Sequence, residues 1–181
     1  CPRKTYADNT AKLAIMSRAI KSLSQSFSFY GSAARKPGFV SVCLSGVDTL
    51  KNAGISPQRM YDLTSADGTA SSAPAHFTDK MHDIALFYSL YDKMLTELYD
   101  DRQDNLLLAA RAIEENDCFP EKTRVYIDGF DSFSGAQKEF LRAMADKGVD
   151  FTVAVCTDDS GAEIFSECDK TKALFENKYA M

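Results

Sequence analysis

The chain has 181 residues, 45% of them hydrophobic, which is enough for one domain or for a domain with an appendage. Lys and Arg number 21 against 26 Asp and Glu, so the net charge is −5. Because non-specific nucleic-acid binding depends on contacts between cations and phosphates, this balance argues against strong nucleic-acid binding by the chain alone. We interpret the basic pair Arg35 and Lys36 as part of a solvated loop.

The cysteines are widely and irregularly spaced, without a CxxC pair, and the chain has only two histidines. This pattern argues against a zinc site, and an odd number of cysteines without a secretory signal is typical of a reducing cytosol. No stretch approaches the ~18 to 20 apolar residues of a membrane span. The sequence therefore predicts a cytoplasmic protein without a membrane segment. Because the chain starts at Cys1, we expect it to be a piece of something larger.

The first two thirds of the chain have the spacing of amphipathic helices. Apolar residues recur at intervals of three and four in residues 8–27, and again from residue 39 to residue 50. Gly54 is suited to follow the end of the second helix. Ser56 and Pro57 are typical of the N-cap and first position of a short third helix.

A polar stretch interrupts this helical region. Residues 64–76 are small and without periodicity, and they predict a flexible loop. After the loop, Thr78 or Asp79 is suited to cap a long helix that continues to Leu98. A further helix is predicted for about residues 103–115.

The periodicity changes at residue 124. Residues 124–128, "RVYID", predict a strand, residues 134–148 an amphipathic helix, and residues 150–157 a second strand. In such a β-α-β unit the strands are parallel and their carboxyl ends lie at one edge of the sheet, where ligands bind in open parallel sheets. A last helical stretch is predicted near residues 170–179.

These elements predict a mostly helical α/β protein. Residues 1–118 form a helical subdomain in this interpretation, and residues 119–181 a small parallel β-α-β unit. Two strands do not make a stable open sheet, because parallel sheets have several strands and are covered on both faces. We therefore expect that the helices cap this sheet closely or that strands outside the 181 residues complete it.

Asp128 is the residue that comes closest to a known chemistry. In P-loop enzymes an aspartate at the end of a hydrophobic strand orients the magnesium ion, and a neighbouring acidic residue helps to position the attacking water. Asp128 has the first position, whereas the second is Gly129. No GxxxxGK[ST] phosphate loop occurs in the chain. The motif by itself favours a structural aspartate over a magnesium ligand.

The spacing around Asp128 is more specific. "YIDGFDSFSGAQKEFL" resembles motif II of superfamily 1 helicases of the UvrD and RecB type, with Asp128, Phe130 and Gln137 in register. The departures from that motif fall on its catalytic positions, which here are Gly129, Asp131 and Ser132.

This degenerate motif resembles that of the B subunit of the AddAB-type ATP-dependent helicase/deoxyribonucleases. "KMHDIALFYSLYDKML", the "DxxDNLLLAA" stretch at 101–110 and "LKNAGISPQRM" are also similar to segments of that family. Together the resemblance covers roughly residues 10–176, nearly the whole chain.

The resemblance implies a helicase-like P-loop core whose motor function is degenerate. With a partner A subunit, such a protein binds double-stranded DNA ends and resects them for recombinational repair. Residues 10–115 would correspond to an insertion between the phosphate-loop strand and the motif II strand.

The family's ATP, Mg²⁺ and iron–sulfur cluster are not expected to be held by this segment. None of the cysteines matches the cluster pattern, so no cluster ligand is assigned, and Asp128 is kept only as the degenerate motif II position. We predict no catalytic residue, no metal and no cofactor here, and no enzymatic activity of this chain alone. The cysteines concerned are Cys1, Cys43, Cys118, Cys156 and Cys168.

A second hypothesis remains open. The chain could be a free-standing Mg²⁺-dependent phosphoryl-transfer or hydrolase domain, since the shared strand edge permits a carboxylate cluster. Its ligands would be Asp128, Asp131, Asp158 and Asp159. Asp128 and Asp131 have the alternative role of capping the turn into the following helix, which we favour for Asp131. Asp158 and Asp159 have the alternative role of an exposed acidic loop.

Two further pairs of residues have a functional and a structural interpretation. His82 and Asp83 suggest an acid–base pair, but adjacent helical residues do not face each other, which favours an ordinary surface or hydrogen-bonded histidine. Tyr88 and Tyr91 could stack on bases. Their helical spacing with other apolar residues favours core packing instead.

Overall fold

The computed structural model of the chain describes residues 4–64, 75–158 and 162–176. The predicted flexible loop therefore lies, apart from its ends, outside the described residues. The chain divides into two compact units, Cys1–Asp104 and Asn105–Met181. None of the described helices combines the length and the apolar character needed to cross a lipid bilayer.

The first unit is helical in its described part. Its helices are α1 (Asn9–Leu23), α2 (Phe39–Asn52), α3 (Pro57–Thr64) and α4 (Ala75–Leu98). A single 3-10 turn lies between α1 and α2 at Ala33–Arg35, and another follows α4 at Arg102–Asp104. Helix α4 is the centre of this unit, since α1 and α3 both pack against it, and α2 packs against α1.

Two helix ends differ from the sequence prediction. Helix α1 ends at Leu23 rather than near residue 27, because the Ser24 hydroxyl donates to the Lys21 carbonyl (3.0 Å) and competes with helix continuation. Helix α4 begins at Ala75, so Thr78 and Asp79 lie within it, and the prediction that one of them caps it is wrong. Proline precedes Ala75 in the sequence, and a helix start accepts proline well.

The apolar face of α4 forms the core of the first unit. Tyr88 and Tyr91 are fully buried there, together with Leu95 and residues from α1 and α2. The Tyr88 hydroxyl donates a hydrogen bond to the Ile55 carbonyl at 2.9 Å. The core-packing interpretation of both tyrosines is therefore confirmed.

The second unit contains the predicted β-α-β element. Strand β1 (Arg124–Ile127) and strand β2 (Asp150–Val153) are parallel neighbours joined through helix α6 (Gly135–Asp146). Residue Arg124 is opposite Asp150 and Ile127 is opposite Val153. The mostly helical α/β class with a small parallel sheet is thus confirmed, although both strands are shorter than predicted.

Helices α5 (Asn105–Glu115) and α7 (Ser166–Glu176) complete the described part of the second unit. Ala110 and Ile113 of α5 pack in one apolar cluster with Ala143 and Met144 of α6. The division between the compact units consequently falls before α5, whereas the predicted domain boundary lies between residues 118 and 119. The assignment of an insertion-like subdomain to residues 1–118 stays a prediction.

Asp83 fixes the chain that follows α1. Its carboxylate is fully buried and accepts hydrogen bonds from the backbone N–H groups of Ser28 (3.0 Å), Phe29 (2.8 Å) and Tyr30 (2.8 Å). His82 is exposed on α4, in agreement with an ordinary surface histidine. The aspartate of the "KMHD" segment therefore has a structural role, because it pairs three amides that α1 and α2 leave without partners.

Removing this carboxylate is expected to destabilise the first unit. Asp83→Ala should lower the free energy of unfolding by about 2 to 3 kcal/mol, because three amides lose a charged acceptor. His82→Ala, the matched control, should change it by less than about 0.5 kcal/mol. Chemical denaturation followed by circular dichroism measures both variants. Equal losses in the two variants would contradict this role of Asp83.

Candidate functional site

The candidate site lies where β1 ends. Asp128 follows the last strand residue and is exposed to solvent. Gly129 then turns the chain with a φ of 78°, in the left-handed region that glycine adopts most readily. Although a side chain at Gly129 would meet no neighbouring atom within 4 Å, this backbone conformation disfavours any other residue. The missing motif II carboxylate thus coincides with a turn that favours glycine.

A small cavity lies at the carboxyl ends of β1 and β2, as expected for parallel strands. Its volume is about 280 Å³, and both of its charged lining residues, Asp128 and Asp131, are acidic. None of its described lining residues is a cation that can neutralise a phosphate. The cavity by itself therefore disfavours binding of a nucleoside triphosphate, because its carboxylates repel the negative phosphates. The full lining consists of Asp128, Gly129, Phe130, Asp131, Ala154, Val155 and Cys156.

Asp131 connects this edge to α7. Its carboxylate oxygen Oδ1 is 3.7 Å from Cys168 Sγ, which donates to it, and its carbonyl accepts a hydrogen bond from the Thr171 hydroxyl at 2.8 Å. Burial, followed by the charge of Asp131, raises the pKa of the Cys168 thiol, so this thiol stays protonated. The prediction that Asp131 caps α6 is wrong, since Ser134 has that position.

Gln137, the third residue in register with motif II, is used to begin α6. Its side-chain oxygen accepts a hydrogen bond from the Ser134 backbone N–H at 2.7 Å, and the Ser134 hydroxyl accepts one from the Gln137 N–H at 3.3 Å. This reciprocal pair is a capping box. The Ser-x-x-Gln signal is present in the sequence, and it accounts for the glutamine without a nucleotide.

The remaining carboxylates do not assemble a metal site in the part of the chain that the structure describes. Asp158 is exposed, and Asp159 lies outside the described residues. Within residues 4–64, 75–158 and 162–176, no group of three or more His, Cys, Asp or Glu side chains is arranged to hold a metal ion. Of the four aspartates, the structure brings together Asp128 and Asp131 at one cavity.

A buried ion-pair network in the first unit was not predicted. The Lys51 side chain is 1% exposed, and its Nζ lies 2.8 Å from Asp92, 3.1 Å from Asp101 and 2.7 Å from Asp104. Asp101 is fully buried and is also bound by Lys12 Nζ at 2.7 Å. The network therefore joins α1, α2 and α4 to the turn that ends the first unit.

Two signals in the sequence point to this network. Cys43, Val47 and Lys51 are spaced by four residues on the buried face of α2, so a lysine occupies a core position that needs an acidic partner. Asp101 and Asp104 are the two aspartates of the "DxxDN" stretch. This family-like segment thus contributes to the internal structure of the first unit.

The pKa shifts show that the network favours the charged states of Lys51 and Asp101. Burial lowers the pKa of Lys51, but hydrogen bonds to Asp104 and Asp92 outweigh burial and raise it well above its ordinary value. Burial raises the pKa of Asp101, but the hydrogen bond from Lys12 and the charge of Lys51 outweigh it and lower the pKa. Both groups therefore stay charged at neutral pH. The stability that Asp101 contributes is lost as the pH falls through its lowered pKa.

Breaking the network is expected to cost more than a surface change. Lys51→Met should lower the free energy of unfolding by about 3 kcal/mol, because Asp101 remains buried with only Lys12 to compensate it. Lys93→Met, on the exposed side of α4, is the control and should change it by less than about 0.5 kcal/mol. Thermal and urea unfolding measure the difference. A Lys51→Met protein as stable as the control would show that the network does not hold the unit together.

Comparison with known proteins places this architecture in a family. A family profile described as "ADDB, N-terminal" matches residues 2–180, which is almost the whole chain. The chain belongs to the AddB N-terminal family. The predicted resemblance to the AddB-type B subunit is confirmed by this match.

Curated relatives of this AddB N-terminal chain are named as the B subunit of an ATP-dependent helicase/deoxyribonuclease. The protein of Bacillus mycoides (strain KBAB4) is 23% identical over 158 residues, covering 86% of this chain and 13% of the relative. The protein of Thermoanaerobacter sp. (strain X514) is 23% identical over 176 residues, covering 97% of this chain and 14% of the relative. The protein of Bacillus anthracis is 25% identical over 158 residues, covering 86% and 13%. The AddB N-terminal chain thus spans about one seventh of the length of these relatives.

Proposed function

We propose that the chain is a non-catalytic, helicase-like segment of the B subunit of an ATP-dependent helicase/deoxyribonuclease. The intact subunit would act with an A subunit on double-stranded DNA ends, resecting them for recombinational repair in the cytoplasm. The names of the relatives support the kind of protein. The observation that carries the non-catalytic role is the geometry after β1, where Asp128 is exposed and is followed by Gly129.

The contacts of the motif II-like residues support a structural role for this stretch. Gln137 is engaged with Ser134 at the start of α6, and Asp131 is engaged with α7. Asp128 therefore has no second carboxylate available to help activate water. The chain also contains no phosphate loop. On this account the 181 residues alone neither bind nor hydrolyse ATP.

The two strands support the proposal that the β-α-β unit belongs to a larger helicase-like sheet. Exposed and half-buried residues alternate along both strands, and Tyr126 of β1 is 72% exposed. Parallel sheets usually have several strands and are covered on both faces, so a two-stranded one whose face leaves Tyr126 exposed lacks both a covering layer and neighbouring strands. We propose that other parts of the subunit supply further strands.

The cofactors of the proposed subunit would lie elsewhere in it. Among the described cysteines, Cys43 and Cys168 are buried, whereas Cys118 and Cys156 are exposed, and they form no cluster. We therefore propose that ATP, Mg²⁺ and an iron–sulfur cluster, if the subunit uses them, are held outside these residues. The alternative of a free-standing Mg²⁺-dependent hydrolase requires Asp128 and its neighbours to bind the metal.

A metal titration separates the two functions. Isothermal calorimetry with Mg²⁺ should show no site tighter than roughly 10⁻³ M in this chain, since two exposed carboxylates are too few hard ligands. In the intact subunit with its partner, Asp128→Ala should leave ATP hydrolysis and DNA degradation within about twofold, as a non-catalytic position predicts.

The matched control for this titration is Asp146→Ala, which removes an exposed carboxylate at the end of α6. Tight Mg²⁺ binding that Asp128→Ala abolishes and Asp146→Ala preserves, with phosphatase or nuclease turnover of the chain alone, would contradict the proposal. A loss of roughly tenfold or more in the ATP hydrolysis of the intact subunit would contradict it as well.

A further inference from the structure

The cavity at the carboxyl ends of β1 and β2 combines two kinds of surface. Its volume is about 280 Å³, and Asp128 and Asp131 both line it. Phe130 lies between them in the sequence, lines the same cavity and is 42% exposed. The other described lining residues are uncharged. One small space thus joins two anions to an aromatic ring, and no described lining residue is a cation that balances the charge.

Both carboxylates keep oxygen atoms available for a ligand. Asp128 is exposed and forms no hydrogen bond or ion pair with the residues that the structure describes. Asp131 accepts from Cys168 Sγ through Oδ1, and its Oδ2 has no partner among the same residues. Two negative charges in a cavity with apolar walls concentrate the local field and attract a cation. The charge that disfavours a nucleoside triphosphate here therefore favours a positively charged ligand.

The Phe130 ring is held in place by other aromatic side chains. It lies nearly parallel to the Phe133 ring, with centroids 5.2 Å apart and an angle of 15° between the planes. Phe133 is buried and meets Phe175 of α7 at 5.6 Å, with the two planes at 71°. Because Phe133 covers one face of the Phe130 ring, its exposed surface is the opposite face and the edge. An aromatic face attracts cations through its negative quadrupole.

We propose that this cavity binds the guanidinium group of an arginine from a part of the B subunit outside these 181 residues. A guanidinium group is planar, stacks on aromatic faces and donates through a fork of N–H groups to carboxylate oxygens, whereas an ammonium group is a point charge. The Phe130 ring and the two carboxylates match these properties. The volume is just below the roughly 300 to 1,000 Å³ of small-molecule sites, which suits a single side chain.

The length of the relatives supports the source of this arginine. The chain covers only 13% and 14% of the relatives from Bacillus mycoides and Thermoanaerobacter. Most residues of the proposed subunit therefore lie outside this chain, and one of them is the proposed occupant of the cavity. This step rests on the proposed function, whereas the binding of a guanidinium group by the cavity does not.

Binding of the group itself is tested with the chain alone. The probe is N-acetyl-arginine amide, and the matched control is N-acetyl-citrulline amide, which has nearly the same shape without the charge. In two-dimensional NMR of the isotope-labelled chain, the arginine probe should shift the Gly129 and Ala154 amide signals. The dissociation constant should be roughly 10⁻³ M, as the size of the probe predicts. The citrulline probe should leave both signals in place.

The cavity residues are tested by substitutions that keep its shape. Asp128→Asn should weaken binding of the arginine probe about fivefold, as the loss of an exposed ion pair predicts. Phe130→Leu should weaken it about threefold, because the cation–π contact is lost. Asp146→Asn, which changes an exposed carboxylate outside the cavity lining, should have no effect. Asp128 has no contact that the fold needs, so Asp128→Asn keeps the test decisive if Phe130→Leu is unstable.

Thiol labelling in the intact B subunit tests the source of the arginine. Cys156 is exposed and lines the cavity, and Cys118 is exposed and serves as the reference outside it. With iodoacetamide and peptide mass mapping, Cys156 should react about tenfold more slowly in the intact B subunit than in the chain alone, relative to Cys118. Asp128→Lys repels a guanidinium group and should remove most of this protection. Each variant is compared with the same variant of the chain alone, because a nearby lysine also raises thiol reactivity.

Two kinds of result would overturn this assignment. Equal shifts with the citrulline probe, or equal affinities of the Asp128→Asn and Asp146→Asn variants, would show that the cavity does not recognise a guanidinium group. Cys156 that is unprotected in the intact B subunit, or protected only after the A subunit is added, would show that the same subunit does not supply the arginine. The proposed function fails separately, through tight Mg²⁺ binding or loss of ATP hydrolysis in the Asp128→Ala subunit.

Discussion

Hydrogen bonding on one side of β2 is the constraint on which the account of the second unit depends. The N–H groups of Asp150 and Ala154 donate to β1, at the carbonyls of Thr123 (3.1 Å) and Ile127 (2.9 Å). Because alternate residues of a parallel strand bond to opposite sides, the N–H groups of Phe151 and Val153 point to the other edge. No strand among the described residues pairs with that edge. Backbone groups in a parallel sheet are normally paired and buried, so this edge is the place where a larger sheet would continue.

The same reasoning explains why the polar residues of the family-like segments have structural contacts. The glutamine of the motif II-like stretch begins a helix, Asp83 of the "KMHD" segment pairs three amides, and the aspartates of the "DxxDN" stretch neutralise Lys51. Each is a polar group that burial or a helix end requires to be paired. A helicase-like segment that has lost hydrolysis would retain these residues, because the fold needs them whether or not ATP is used.

Much of the fold follows from the sequence because its signals are periodic. The change from helical spacing to short apolar runs at residue 124 predicts the β-α-β unit, and the stripe on α4 predicts that Tyr88 and Tyr91 are buried. The Lys51 network was missed because its partners are distant in the chain and a lysine on an apolar stripe specifies no particular aspartate. The helix ends were misplaced where short-range hydroxyl and proline effects outweigh periodicity, as at Ser24 and Ala75. The role of Asp131 depends on α7, a contact that no local pattern encodes.

Amide hydrogen exchange in the intact subunit tests the central claim, that this chain is an architectural part of a larger sheet. Thr152 and Ala154 are the internal references, since their N–H groups face β1. The account predicts that Phe151 and Val153 are protected from exchange to a similar degree in the intact subunit, because a further strand accepts their hydrogen bonds. Rapid exchange at Phe151 and Val153, with Thr152 and Ala154 protected, would show that the sheet ends at β2 and would contradict the account.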